Sequence, residues 1–151
     1  MNEPNCIFCK IARGEIPAFK VYEDKDFIGV LDINPNTEGV TLVMSKEHFP
    51  SYIVGLNEEA YQRFFSAAQR VAKVLDSRLG VERCGIVLEG MGINHGHVKV
   101  YPLHGLGKDW KPLEGEERVF FKDYPGFMTT KLGPQARKEE LERIAKKIRG
   151  E

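Results

Sequence analysis

The stretch Asn94-His95-Gly96-His97-Val98-Lys99-Val100-Tyr101-Pro102 sets two imidazoles and an ammonium at alternate positions. Alternate side chains of a strand share a face, so His95, His97 and Lys99 are expected on one side, with Val98 and Val100 on the other. The valines would pack on a core. The opposite face would carry a row of nitrogen groups, and Gly96 would let a ligand or another backbone come close. Imidazole is largely unprotonated at neutral pH and attacks phosphorus without a separate base. It attacks through one ring nitrogen when the other donates its hydrogen to a fixed acceptor, often a backbone carbonyl. A neighbouring cation would offset charge on phosphate oxygens. His97, in the middle of the row, is best placed as the nucleophile. The competing reading is a half-exposed strand with incidental polar residues; two histidines and a lysine in register weigh against it.

Cys6-x-x-Cys9 is a second constellation. Two thiolates at this spacing can reach one tetrahedral ion, and histidines must complete such a site; the chain has four. A redox pair would need a strand-to-helix context that is not evident here. Two buried, metal-free thiols are the third reading. Cys84, alone in an apolar strand, reads as a core residue, and His104 as a solvated histidine at a strand end. The Gly90-Met91-Gly92-Ile93-Asn94 connection could bring backbone amides near phosphate, but it matches no phosphate-loop motif.

These residues need elements to position them. Residues 6–13 read as a short helical turn, ended by Gly14 and Pro17. Phe19–Tyr22 and Phe27–Leu31 read as strands joined by the turn Glu23-Asp24-Lys25-Asp26, followed by turn chemistry at Asp32–Asn36 and a third strand at Val40–Met44. A helix is expected from Glu58 to Arg78, with Asn57 as N-cap and Gly80 after its end. Its Ala60, Phe64, Ala68, Val71 and Leu75 recur at helical spacing. Cys84–Leu88 and His97–Leu103 give the fourth and fifth strands. Beyond them come a short strand at Arg118–Phe121 and an amphipathic helix from Pro134 to Ile148. The expectation is an α+β domain: a mainly antiparallel five-stranded sheet with a long helix packed on it, over residues 1–107, and a C-terminal extension, 108–151, packed on the same domain and ending in a helix. In the extension, Trp110, Phe120, Phe121, Tyr124 and Phe127 either cover the core, shape the leaving-group side of the site or extend a subunit contact.

At 151 residues the chain suits one domain with a sizeable core. Its 22 basic and 22 acidic residues balance, and no dense Lys/Arg stretch lies beside stacking aromatics. Broad binding to nucleic acid or an anionic membrane is therefore not expected, although a local nucleotide pocket needs no basic surface. The N-terminus lacks a signal-peptide pattern and no apolar run reaches membrane-spanning length. An odd count of three cysteines argues against a disulfide framework. Cytoplasm is the expected compartment.

The histidine strand resembles the motif of the histidine triad (HIT) family of nucleotide hydrolases and transferases, three histidines alternating with apolar residues with the middle one as nucleophile. His97 matches the middle position and His95 the first, while Lys99 departs from the third. The resemblance extends to residues 6–17, to Tyr22-Glu-Asp24, Leu31-Asp-Ile-Asn-Pro35, Thr41-Leu-Val43 and Ser45-Lys-Glu-His48, in the family's order through about Pro102. It implies a homodimer whose sheet continues across the interface. It also implies a purine nucleotide pocket in which Asp32 bonds the ribose hydroxyls and Phe8, Ile11, Ile16, Val30 and Ile33 line the base; simple core packing is the other reading of these apolar residues. Asn94 would position a phosphate oxygen or the leaving group. In members with the cysteine pair, the resemblance points to His48 and His95 as the remaining ligands of a structural zinc with no open position for water.

The implied activity is attack by His97 on the α-phosphorus of a nucleotide derivative such as a dinucleoside polyphosphate, giving a nucleotidyl-histidine that water resolves. Transfer to a phosphate acceptor and nucleotide binding with little catalysis are the alternatives, followed by a zinc-stabilised interaction domain. Lys99 would hold phosphate oxygens. An ammonium gives up its proton less readily than an imidazolium, so leaving groups that need little protonation should be favoured over amines.

Overall fold

The computed structural model describes residues 3–108, 115, 117–129, 134–139 and 143–144. The chain divides into two compact units, residues 1–109 and 110–151. In the first, helix α1 (Ile7–Ala12) precedes strands β1 (Lys20–Glu23), β2 (Phe27–Leu31) and β3 (Thr41–Ser45). A 3₁₀ turn at Ile53–Gly55 leads into helix α2 (Glu58–Leu79), then strands β4 (Cys84–Val87) and β5 (His97–Pro102). The sheet order is β1-β2-β3-β5-β4, with every neighbouring pair antiparallel. This is the α+β architecture expected from the sequence.

Helix α2 is fixed at both ends by its own residues. The Asn57 side chain accepts a hydrogen bond from the Ala60 amide at 2.9 Å, and Gly80 adopts φ 64° with its N–H donating to the Asp76 carbonyl. Such a cap contributes about 1 kcal/mol, and a side chain at Gly80 would strain the left-handed turn. Phe64, Ala67, Ala68, Val71 and Leu75 face the sheet, where they bury Phe27, Val43, Val98 and Val100. Each large side chain so buried contributes roughly 1.5–3 kcal/mol against the entropy of ordering.

Strand alternation makes the other face different. Ile28, Val30 and Met44 emerge there and pack with Phe8 of α1, edged by Ile11, Leu42 and Ile93. His97 and Lys99 share this second face because Val98 and Val100 belong to the first. The sheet thus separates a helix-covered core from a second surface that bears the imidazole.

The second unit departs from expectation. Residues 118–121 form no strand, and their backbone pairs with no described strand. Phe120, Phe121, Tyr124 and Phe127 are exposed, and Phe121 and Phe127 meet edge-on with centroids 5.6 Å apart. Trp110 lies outside the described residues. Residues 134–137 are not helical, whereas Lys138, Glu139, Arg143 and Ile144 are. The remainder of the helix expected up to Ile148 lies outside the described residues.

Candidate active site and metal centre

His95 does not stand in an exposed row with His97 and Lys99. It lies in the bend before β5 and is fully buried. The alternation of a strand cannot apply to a residue the strand does not include. Its Nε2–H donates to the Ser45 carbonyl at 2.8 Å, which leaves Nδ1 as the lone-pair nitrogen. That Nδ1 lies 3.4 Å from Cys6 Sγ and 3.5 Å from Cys9 Sγ, and Cys9 Sγ lies 3.5 Å from His48 Nδ1. All four ligand atoms fall within 4.8 Å of one another. Bonds of about 2.0–2.3 Å around a tetrahedral zinc require ligand separations of roughly 3.5 Å, so the donor set fits such an ion. Burial pushes His95 down to about 4, the Ser45 bond only partly opposing it, so the ring is neutral at pH 7 as a ligand must be. Burial also raises the Cys9 thiol, and a bound cation would reverse that by stabilising the thiolate.

Gly96 serves the core and makes no room for a ligand. A Cβ there would stand 2.5 Å from Phe64 Cζ and 3.3 Å from Phe49 Cβ. The missing side chain lets the backbone lie against Phe64, while the Gly96 amide bonds the Phe49 carbonyl at 2.8 Å.

One residue on, the His97 ring donates from Nδ1 to the carbonyl of His95 at 2.7 Å. This bond selects the tautomer and leaves Nε2 without a hydrogen-bond partner among the described residues. The Phe8 ring packs edge-on against both imidazoles, with centroids 5.3 Å from His97 and 5.8 Å from His95. His97 lines a cavity of about 400 Å³, and Phe8, Ile11, Ile16, Val30, Asp32, Ile33 and Lys99 line it too. Phe19, Leu42, Met91 and Ile93, which the sequence did not single out, complete much of its wall. Ile33 is 82% exposed, an apolar side chain held in solvent at the lining of this space.

Asp32 and Lys99 pair with each other in its lining. Asp32 Oδ2 lies 3.4 Å from Lys99 Nζ, and Oδ1 accepts the Asn34 amide at 2.9 Å. Asn94 is not part of this lining. Its side-chain oxygen accepts the Ser51 amide at 3.1 Å, tying the Gly90–Asn94 connection to the chain after β3. Gly90, at φ 69°, belongs to the same tie, since a Cβ there would meet the Ser51 carbonyl oxygen at 2.8 Å. His104 is exposed and bonds the Glu38 carbonyl at 2.9 Å. Cys84 is half-buried beside the α2 core, its thiol donating to Asp76 at 3.2 Å; burial, then the Asp76 bond, push it up to about 12.

A small α+β domain that spends one face of its sheet on a helix and the other on a histidine-lined cavity is a recognisable class. A model of the HIT domain matches residues 13–109, and the chain belongs to that family. Among similar proteins, the adenosine 5'-monophosphoramidase of Schizosaccharomyces pombe is 32% identical over 125 residues, covering 75% of this chain and 90% of its own; the family thus includes hydrolases. A crystal structure from Streptococcus mutans superposes with a TM-score of 0.69 at 25% identity, covering 98% of this chain and 85% of that one. A zinc-bound histidine triad protein from Mycobacterium smegmatis superposes with a TM-score of 0.61 at 31% identity, covering 69% and 78%.

Proposed function

We propose that this chain hydrolyses purine nucleotide derivatives at the α-phosphate. The observation that carries this reading is the Nδ1–H bond from His97 to the His95 carbonyl, on a residue lining an apolar cavity of nucleotide size. The Nε2 lone pair of His97 attacks the α-phosphorus, and the bond from phosphorus to the leaving group breaks. The leaving group departs with its electron pair and takes a proton from solvent or the site. Water then attacks the same phosphorus, the P–N bond breaks, and the nucleoside monophosphate leaves with His97 restored. Asp32 accepts the ribose hydroxyls and Lys99 contacts phosphate oxygens. Phe8, Ile11, Ile16, Val30 and Ile33 sandwich the base. The sheet continues into a second copy, giving a cytoplasmic homodimer. Transfer to a phosphate acceptor uses the same first step with a different second nucleophile.

Cys6, Cys9, His48 and His95 would hold zinc. With four protein ligands such an ion would supply structure only, since no position would be left for water. Its effect on the chemistry passes through the chain: His95, held by its ring, presents the carbonyl that orients His97.

The test compares native protein with His97→Ala on a dinucleoside polyphosphate, an adenosine phosphoramidate and a sugar nucleotide, reading released monophosphate. Release is expected to fall by at least about 1,000-fold in the variant, with the polyphosphate turned over faster than the phosphoramidate. A variant as active as the native chain would remove His97 from the mechanism, and faster release from the amine-leaving substrate would refute the leaving-group preference.

A further inference from the structure

Asp32 follows the end of β2 and Lys99 sits in β5, with β3 between those strands in the sheet. Leu42 of β3 pairs with Val30 on one side and Lys99 on the other. The lysine therefore reaches over about 10 Å of sheet to place its ammonium 3.4 Å from Asp32. The two partners differ in freedom. Asp32 is anchored, with one oxygen committed to the Asn34 amide and a side chain only 12% exposed. Lys99 ends a flexible four-carbon stem. Among the described residues lining the cavity, Lys99 is the one lysine or arginine and Asp32 the one carboxylic acid.

We propose that Asp32 is a positioning residue for Lys99, parking its ammonium until a ribose diol takes its place and so releasing the cation to the phosphate. This deepens the nucleotide reading and rests on it. A ligand with both a diol and a phosphate exchanges one ion pair for two satisfied partners. Inorganic phosphate alone would pull Lys99 away and leave the Asp32 charge unpaired in a mostly apolar space, and a nucleoside alone would leave Lys99 unpaired. A nucleotide without hydroxyls can bind with Lys99 still on Asp32, but its phosphate then lacks the cation in the transition state. The diol thereby controls the chemical step as well as affinity.

The experiment measures kcat and KM for adenosine 5'-phosphoramidate and its 2',3'-dideoxy analogue on the full chain. In the native protein the dideoxy analogue is expected to lose about tenfold in kcat, beyond any rise in KM. Asp32→Asn keeps an oxygen for the Asn34 amide but holds the ammonium weakly, so it raises the dideoxy kcat toward the ribose value while raising KM for the ribose substrate. Lys99→Gln removes the cation for both and lowers the ribose kcat to the dideoxy level. The two variants thus collapse the same ratio from opposite ends, which a merely structural role would not do. Equal kcat for both substrates in the native protein, or a ratio that neither substitution moves, overturns the proposal and leaves the nucleotide reading intact. Absence of monophosphate release from either substrate and from the wider panel overturns both.

Discussion

A single methyl group at Gly96 would meet Phe64 at 2.5 Å, inside the buried core beneath α2. Gly96→Ala is expected to destabilise the protein by about 1–3 kcal/mol, read as a lower denaturant midpoint. Gly85→Ala, where a Cβ meets nothing within 4 Å, should change it by less than about 0.5 kcal/mol. An unaltered Gly96→Ala midpoint would mean that Phe64 has room to retreat. At this scale the sequence was readable where chemistry is local. The spacing singled out Cys6 and Cys9, and the resemblance added His48 and His95, the four residues whose ligand atoms converge. Its reading failed where the answer depends on a distant partner. Nothing near Gly96 announces Phe64, nothing near Asp32 announces Lys99, and nothing near Asn94 announces the Ser51 amide.

Among elements, the β1–β2 hairpin is tied to α2 through Asp24. Its carboxylate takes the Asp26 and Phe27 amides, the Tyr22 hydroxyl and the Arg70 guanidinium, at 2.7–2.8 Å. Burial alone would raise this carboxyl; the four hydrogen bonds outweigh burial and hold it at about 2, against 3.8 unperturbed. A depressed carboxylate stabilises the fold above its unfolded pKa and loses that contribution as pH falls through its folded value. About 1–2 kcal/mol should therefore be present above pH 4 and disappear toward pH 2, and Asp24→Asn should flatten this limb of the stability-against-pH curve. An identical acid limb in both proteins would remove Asp24 from the balance. Helix α2 was legible because Asn57, the apolar stripe and Gly80 agree with one another. The strand expected at Arg118–Phe121 rested on local β-propensity alone, which decides little without cross-strand packing. The 3₁₀ turn at Ile53–Gly55 was missed because three residues carry too little periodicity to register.

For the molecule as a whole, the two edges of the sheet differ. Strand β1 carries Lys20 and Glu23, charges that discourage pairing, whereas β4 is uncharged and leaves Ile86 38% exposed. If the proposed dimer forms through β4, sedimentation should show two chains and Ile86→Lys should shift them toward one; a native monomer would end that idea. The proposed zinc also acts at this scale, since it would join the N-terminal helix to the segments after β3 and before β5. Metal analysis should find about one zinc per chain, and chelation should lower the thermal midpoint, as should Cys9→Ser. Protein that is metal-free as purified and indifferent to chelator would exclude a structural ion.

The same centre has a consequence in time. Cys6 and His95 are 89 residues apart, so at a synthesis rate of about 5–20 residues per second the first thiol leaves the ribosome's active centre roughly 4–18 s before its last partner exists. His95 directly precedes β5, which lies between β3 and β4 in the sheet. Through that interval the nascent chain carries the cysteine pair without its full ligand set. Completion of the proposed metal site would thus be a late event, coinciding with the seating of His97, whose ring bonds the His95 carbonyl.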